Sequence, residues 1–122
     1  FKHGFSNMWD VSCGGSALSG ETSAQAAMRE AFEEIGVKIR LNGVRPHYSV
    51  SFDEGYDDWY VVKADPDIGS LKLQYEEVQA VRWADEDEIF AMMDSGAFIP
   101  YFKGFISTIF HTADQYGTIR EK

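Results

Sequence analysis

The sequence predicts a mixed α/β domain, a sheet covered by helices on both sides, and three observations carry that reading. Apolar residues recur at helical spacing from Thr22 to Ile35. Branched and aromatic residues then predominate from Val37 to Ala64 in two strand-like runs. An alternating segment at Val78 to Trp83 precedes two further helical patterns, and the order helix, strands, helices favours a mixed sheet with helices on its faces. The 122 residues, 44% apolar, suffice for one core and leave little room for a second, so a single domain over residues 1–122 is expected.

Residues 1–20 are rich in Gly, Ser and aromatics. They read as a loop, a short strand around Trp9 to Cys13, and a Gly-rich turn. In the helix that follows, Ala24, Ala27, Met28, Ala31, Phe32 and Ile35 form the apolar stripe; Thr22 and Gln25 are placed as a capping box and Gly36 as the stop. The stretch Asp53 to Asp58 separates the runs SVSF and WYVV, an expected antiparallel pair. Residues 65–75 read as loop. Asp85 and Glu88 cap a second helix running through Ile89, Phe90, Met92 and Met93 to Gly96. Pro100 to about His111 reads as a third, apolar helix, whose segment Phe105 to Phe110 serves as core or as the surface of a homodimer.

Charge narrows the function. Twenty acidic against eleven basic side chains give a formal charge of -9, which repels duplex DNA and anionic membranes. No nucleic-acid polymer and no membrane is expected as a partner. An anionic substrate would need a local cation, and a bound metal is the simplest device for an acidic protein. Cys13 is the single cysteine, so no internal disulfide forms, and a reducing, cytoplasmic setting is expected. No apolar run reaches the roughly 18 residues of a membrane span, and the start lacks a secretory apolar run, although the chain begins with Phe.

On a wheel of roughly 100° per residue the apolar side chains of the first helix fill an arc of about 140°, while Glu30, Glu33 and Glu34 gather on a separate arc of about 100°. Glu30 and Glu34 repel at i,i+4, and Glu33 and Glu34 sit at the negative end of the helix dipole. Three glutamates on an arbitrary helix are more often solvated surface than a site. A hard divalent cation would reverse the sign of these terms, because such ions prefer oxygen ligands. Gly14-Gly15 and Gly20-Glu21 just upstream allow tight turns and close backbone approach, and Arg29 stands within reach of Glu21 or Glu33.

Taken as one string, Gly15, Glu21, Arg29, Glu30, Glu33, Glu34 and Gly36 have the order and spacing of the Nudix box, G-x5-E-x7-R-E-U-x-E-E-x-G-U. The match covers 23 residues, Gly15 to Val37, and departs only at Ala31, where the motif has a larger aliphatic residue. By this resemblance the fold is a Nudix-type α/β/α sandwich with a mixed sheet. The resemblance implies Mg²⁺ or Mn²⁺ held by Glu30, Glu33 and Glu34 with the Gly15 carbonyl, Arg29 orienting a glutamate, and Glu21 fixing the loop. Glu77, six residues before Trp83, stands where some members place a further metal ligand or base; an ordinary acidic residue before a strand is an equal reading. Most members carry a strand or two a few dozen residues before the box. Gly15 has only fourteen residues before it, so an N-terminal strand is expected to be missing and the domain to be N-terminally incomplete, leaving an edge for an upstream segment or second chain.

The expected reaction is therefore metal-assisted hydrolysis of a diphosphate linkage in a small phosphorylated substrate of nucleoside diphosphate-X type, with Glu30, Glu33, Glu34, Arg29 and Glu77 as catalytic candidates. Two alternatives stand beside it. The segment MWDVSCGGSALSGE resembles Nudix-fold isopentenyl-diphosphate isomerases, but aligned on Gly20-Glu21 the isomerase's cysteine falls on Gly14 and its metal-binding histidine on Ser16, with Cys13 one place off. A non-catalytic nucleotide-sensing module is the other, although every box carboxylate is present. Tyr48, Phe52, Tyr56, Trp59 and Tyr60 suit packing better than base stacking, and His3, His47 and His111 suit surface or structural roles. Cys13 is expected as a small buried apolar residue. The substrate itself is not legible.

Overall fold

The computed structural model describes residues 2–3 and 7–120; the part of the N-terminal loop reading that concerns residues 1 and 4–6 lies outside the described residues. Two short strands precede the box. β1 (Lys2–His3) is central in a three-stranded sheet, antiparallel to β2 (Trp9–Asp10) on one side and to β5 (Ala80–Val81) on the other. The mixed character comes from Trp9, which bridges Phe98 in parallel: the Trp9 N–H donates to the Ala97 carbonyl at 2.8 Å and Ile99 N–H to the Trp9 carbonyl at 2.9 Å. The strand expected to extend to Cys13 stops at Asp10, and Cys13 lies half-buried in the loop beyond.

Helix α1 (Ser23–Ile35) begins on the expected capping box: Thr22 accepts from Gln25 N–H while the Gln25 side chain accepts from Thr22 N–H. It ends where Gly36 turns left-handed at φ 73°, a conformation glycine adopts without the Cβ clash. The buried face is narrower than the apolar stripe. Ala26, Ala31 and Ile35 are buried, but Phe32 is 53% exposed, with the Lys38 ammonium over its ring.

A hairpin forms here, β3 (Tyr48–Phe52) and β4 (Gly55–Trp59), joined by Asp53 and Glu54 alone, but of the expected run WYVV only Trp59 is strand. Most of the stretch read as a separator is thus strand. Polar cross-strand pairs support it, such as Ser49 Oγ donating to Asp58 at 2.6 Å, and period-two reading cannot recognise a hairpin exposed on both faces. Its base is anchored by aromatics: Tyr48 and Trp59 meet Phe105 edge-to-face, Tyr48 also bonds Thr112, and Tyr60 bonds Ser23 Oγ at 2.8 Å, while Phe52 and Tyr56 stay exposed.

A short 3-10 turn (Ile68–Ser70) interrupts the expected loop. Helix α2 (Glu86–Asp94) starts on the Asp85/Glu88 capping box. Helix α3 (Lys103–Thr112) starts three residues after Pro100. The residue before a proline is pushed to extended geometry, and Ile99 is engaged with Trp9, so the chain cannot turn helical there. Ile89, Phe98 and Ile106 form the core beneath α2 and α3, with Trp9 and Tyr101 packed against it. Asp10 accepts from the Tyr101 hydroxyl at 2.5 Å, and burial, followed by that bond, pushes the phenol well above its ordinary value. Ile89→Ala is expected to cost about 2–5 kcal/mol in a denaturant titration, since Ile89 is fully buried. Among the described residues no helix is long and apolar enough to cross a membrane.

Candidate functional site

Two of the three glutamates of α1 are withdrawn from solvent, while Glu33 is exposed. Glu30 and Glu34 are 8% and 5% exposed, the only charged residues among those buried in the described chain, and they line an open cleft of about 250 Å³. A wheel assigns polar residues to water; here two opposing segments cover them. One is the Gly14-Gly15 loop, the other the turn from Gln74 to Glu77, and Arg29 and Glu33 complete the lining.

Arg29 organises the loop side. Its Nε and Nη2 donate to the two oxygens of Glu21 at 2.8 and 3.1 Å, a forked pairing that an ammonium could not make. The same guanidinium reaches Glu33 at 3.1 Å, Glu30 at 3.4 Å and the Ser16 carbonyl at 3.4 Å. Both partners expected for it are engaged together. Glu21 in turn accepts from Leu18 N–H at 2.9 Å and returns its own N–H to the Leu18 carbonyl, closing the turn that precedes α1. The Arg29 hydrogen bond, then the Leu18 N–H, hold the Glu21 carboxyl below its ordinary 4.5.

A carboxyl whose pKa falls on folding contributes stability that is present above the ordinary value and lost as pH falls through the folded value. The melting-temperature gap between the native protein and Glu21→Gln should therefore be widest near neutrality and shrink below about pH 4.5. A gap independent of pH contradicts this account of the loop.

At Gly15 the loop backbone comes up against the Glu30 side chain. A Cβ built on Gly15 would stand 2.5 Å from Glu30 Cδ, far inside contact distance, so the Glu30 carboxylate lies against the bare backbone of the loop. On the other side, Gln74 N–H donates to the Glu34 carbonyl at 2.8 Å, and the Gln74 carbonyl accepts from Glu77 N–H and Val78 N–H at 2.8 and 2.7 Å. This turn brings Glu77 to the cleft. Glu77 is 43 positions beyond Glu34, too far along the chain for helical spacing to relate the two. Gln74 was missed, and its one signal is a backbone bond that no side-chain pattern announces.

Every proposed site residue, Gly15, Arg29, Glu30, Glu33, Glu34 and Glu77, lines the one cleft. Of the positions in the isomerase alignment, Gly14, where its cysteine falls, lines the cleft, while Ser16, where its histidine falls, and Cys13, one place off, do not. His3 packs edge-on to Trp9, His47 stacks on Tyr116 and accepts from Val61 N–H, and His111 is exposed beside Glu86. None belongs to the cleft.

The donor set suits a hard divalent ion: buried carboxylate oxygens beside a loop whose backbone approaches at glycine distance. Among the described residues no group of three acidic, histidine or cysteine side chains is already gathered as an ion cage. Arg29, ion-paired to both Glu30 and Glu33, occupies part of the space between them.

The NUDIX domain model matches residues 1–102. The chain belongs to the Nudix family. This Nudix chain is 46% identical over 110 residues to an uncharacterized Nudix hydrolase of Listeria monocytogenes, covering 90% of the chain and 64% of the relative. It is 45% identical over 109 residues to an uncharacterized Nudix hydrolase of Listeria innocua, covering 89% and 63%. A third relative, an uncharacterized Nudix hydrolase of Pseudomonas aeruginosa, is 36% identical over 76 residues, 62% of the chain and 44% of the relative. The chain thus spans somewhat under two thirds of the length of these two Listeria relatives. No solved structure matches. Nudix hydrolases generally use divalent cations and act on small phosphorylated molecules.

Proposed function

We propose that this Nudix domain hydrolyses a diphosphate linkage in a small substrate of nucleoside diphosphate-X type, with Mg²⁺ or Mn²⁺ as cofactor. The observation that carries the reading is the burial of Glu30 and Glu34 together at the wall of an open cleft. Two adjacent carboxylates withdrawn from water are costly in a chain of net charge -9 unless a cation compensates them. Arg29 pairs with Glu30 at 3.4 Å and divides its charge among three glutamates.

Glu30 and Glu34, with Glu33 and the Gly15 carbonyl, would hold the ion. Such an ion, when bound, supplies neutralisation of phosphate oxygens and a more acidic water. The chain's own groups do the rest. Arg29 and Glu21 keep the loop and the glutamates in register, so that the reacting phosphorus and the water meet in one geometry. Glu77, which lines the same cleft, accepts the water's proton, and it stands on a turn whose backbone is fixed to α1. The P–O bond of the anhydride breaks as water's oxygen bonds phosphorus, and the leaving phosphate departs with the electron pair.

The single cysteine supports a cytoplasmic setting. The isomerase reading lacks support, because the cysteine nearest its acid-base position lies outside the cleft. The test is a substrate panel of nucleotide sugars, dinucleotides, oxidised nucleotides and isoprenoid diphosphates with Mg²⁺ or Mn²⁺ on the full-length protein. Two phosphate-bearing products from a nucleoside diphosphate compound are expected. Double-bond migration in isopentenyl diphosphate, or tight nucleotide binding without any product, would replace the assignment.

A further inference from the structure

The last turn of a helix leaves carbonyls without partners inside the helix. In α1 the Phe32 carbonyl takes Gly36 N–H at 3.0 Å and the Ala31 carbonyl takes Val37 N–H at 3.2 Å. The Glu34 carbonyl is filled from outside, by Gln74 N–H at 2.8 Å. That bond requires the chain around Lys72 to run hard against the helix end. A Cβ on Gly36 would stand 3.1 Å from Lys72 Cβ, 3.2 Å from its nitrogen and 3.3 Å from its oxygen, two of them backbone atoms that cannot rotate away. Gly36 therefore matters twice, for its left-handed φ and because a Cβ there would push Lys72 back by a few tenths of an ångström.

Beyond Gln74 the chain has little freedom. The Gln74 carbonyl holds both Glu77 N–H and Val78 N–H, and Val78 is wholly buried. Glu77 is thus carried on a short turn pinned at one end to the Glu34 backbone and at the other to the core. Glu34 offers its side chain to the cleft and its carbonyl to the segment that brings Glu77.

We propose that Gly36 and Gln74 are positioning residues that set where Glu77 stands in the cleft, Gly36 through the space it leaves for Lys72 and Gln74 through its N–H bond to Glu34. The inference rests on the reading of the cleft as a divalent-cation site with Glu77 as proton acceptor. Gly36→Asn tests the space separately from the backbone conformation, because asparagine tolerates the left-handed region while adding the Cβ. Gln74→Pro removes the N–H and sets the ring Cδ where the hydrogen had pointed at the Glu34 carbonyl, and Gln74→Ala, which keeps the N–H, is the comparison.

The experiment uses Mn²⁺ alone as probe on the full-length protein, reading paramagnetic broadening of assigned glutamate side-chain NMR signals, with amide hydrogen exchange at residue 74 as companion. In the native protein Mn²⁺ should broaden Glu34 and Glu77 together, and the Gln74 amide should be protected. In Gly36→Asn and Gln74→Pro, Glu34 should remain broadened while Glu77 sharpens; Gln74→Ala should resemble the native protein more closely than Gln74→Pro does. In Gly36→Asn the amide of residue 74 should lose protection. With ADP-ribose as a trial substrate, each displaced variant should lose about tenfold to a hundredfold in kcat, with no further loss when combined with Glu77→Gln.

Glu77 broadened equally in the variants, or a Gln74 amide that exchanges freely in the native protein, overturns the proposal. Losses that multiply with Glu77→Gln overturn it as well. Native protein in which Mn²⁺ fails to broaden Glu34 is a different failure, that of the cation site, and the proposal falls with it. Should Gly36→Asn not fold, Gln74→Pro carries the test.

Discussion

Glu34→Gln is expected to keep the fold and lower turnover by about two to four orders of magnitude, the range that several kcal/mol of lost charge stabilisation represents. The substitution is nearly isosteric, and Glu34 is 5% exposed, so its shape is held by its surroundings. Removing one of two like charges at i,i+4 relieves the helix by a few tenths of a kcal/mol. Activity and stability should therefore separate: circular dichroism and the melting curve stay close to native while the rate collapses. A variant that unfolds would make Glu34 a structural carboxylate, and one that turns over normally would remove it from the chemistry.

Gly15→Ala is expected to be nearly as damaging through shape alone. Gly15 carries no left-handed φ among the described glycines, so alanine meets no backbone penalty there. The added methyl would stand 2.5 Å from Glu30 Cδ and must drive the carboxylate or the loop aside. A shift on the order of 1 Å at a reacting site costs about a hundredfold in rate. Steady-state kinetics should show that loss mainly in kcat, with cation affinity reduced in parallel. Gly14→Ala, where a Cβ would meet nothing within 4 Å, is the matched control for the loop and should lose far less.

Both predictions depend on features that the sequence discloses unequally. Helix α1 was legible because its signals are local: Thr22 and Gln25 cap one end, Gly36 ends the other, and the glutamates share a face. The second capping box, Asp85 with Glu88, was legible for the same reason. Spacing could not say that Glu30 and Glu34 are buried, because burial is imposed by the Gly15 loop and by a turn some forty residues downstream. Phe32 shows the converse, an apolar residue at helical spacing that no neighbour covers. The hairpin was blurred because its strands carry Asp57 and Asp58 opposite serine and valine, a pattern set by exposure on both faces rather than by one apolar side. The Nudix box named the residues of α1 and its loop, while Gln74 enters the site through main-chain atoms common to every residue.

Nearly all the chemistry assigned here rests on one property of the cleft, that Glu30 and Glu34 together hold a divalent cation. Calorimetric titration of Mn²⁺ into the full-length protein, and into Glu30→Gln, Glu34→Gln and the double variant, measures it without reference to any substrate. The expected result is one saturable site in the native protein, weakened in each single variant and lost in the double variant. Native-like Mn²⁺ binding in the double variant would contradict it and would make the buried pair a feature of packing alone.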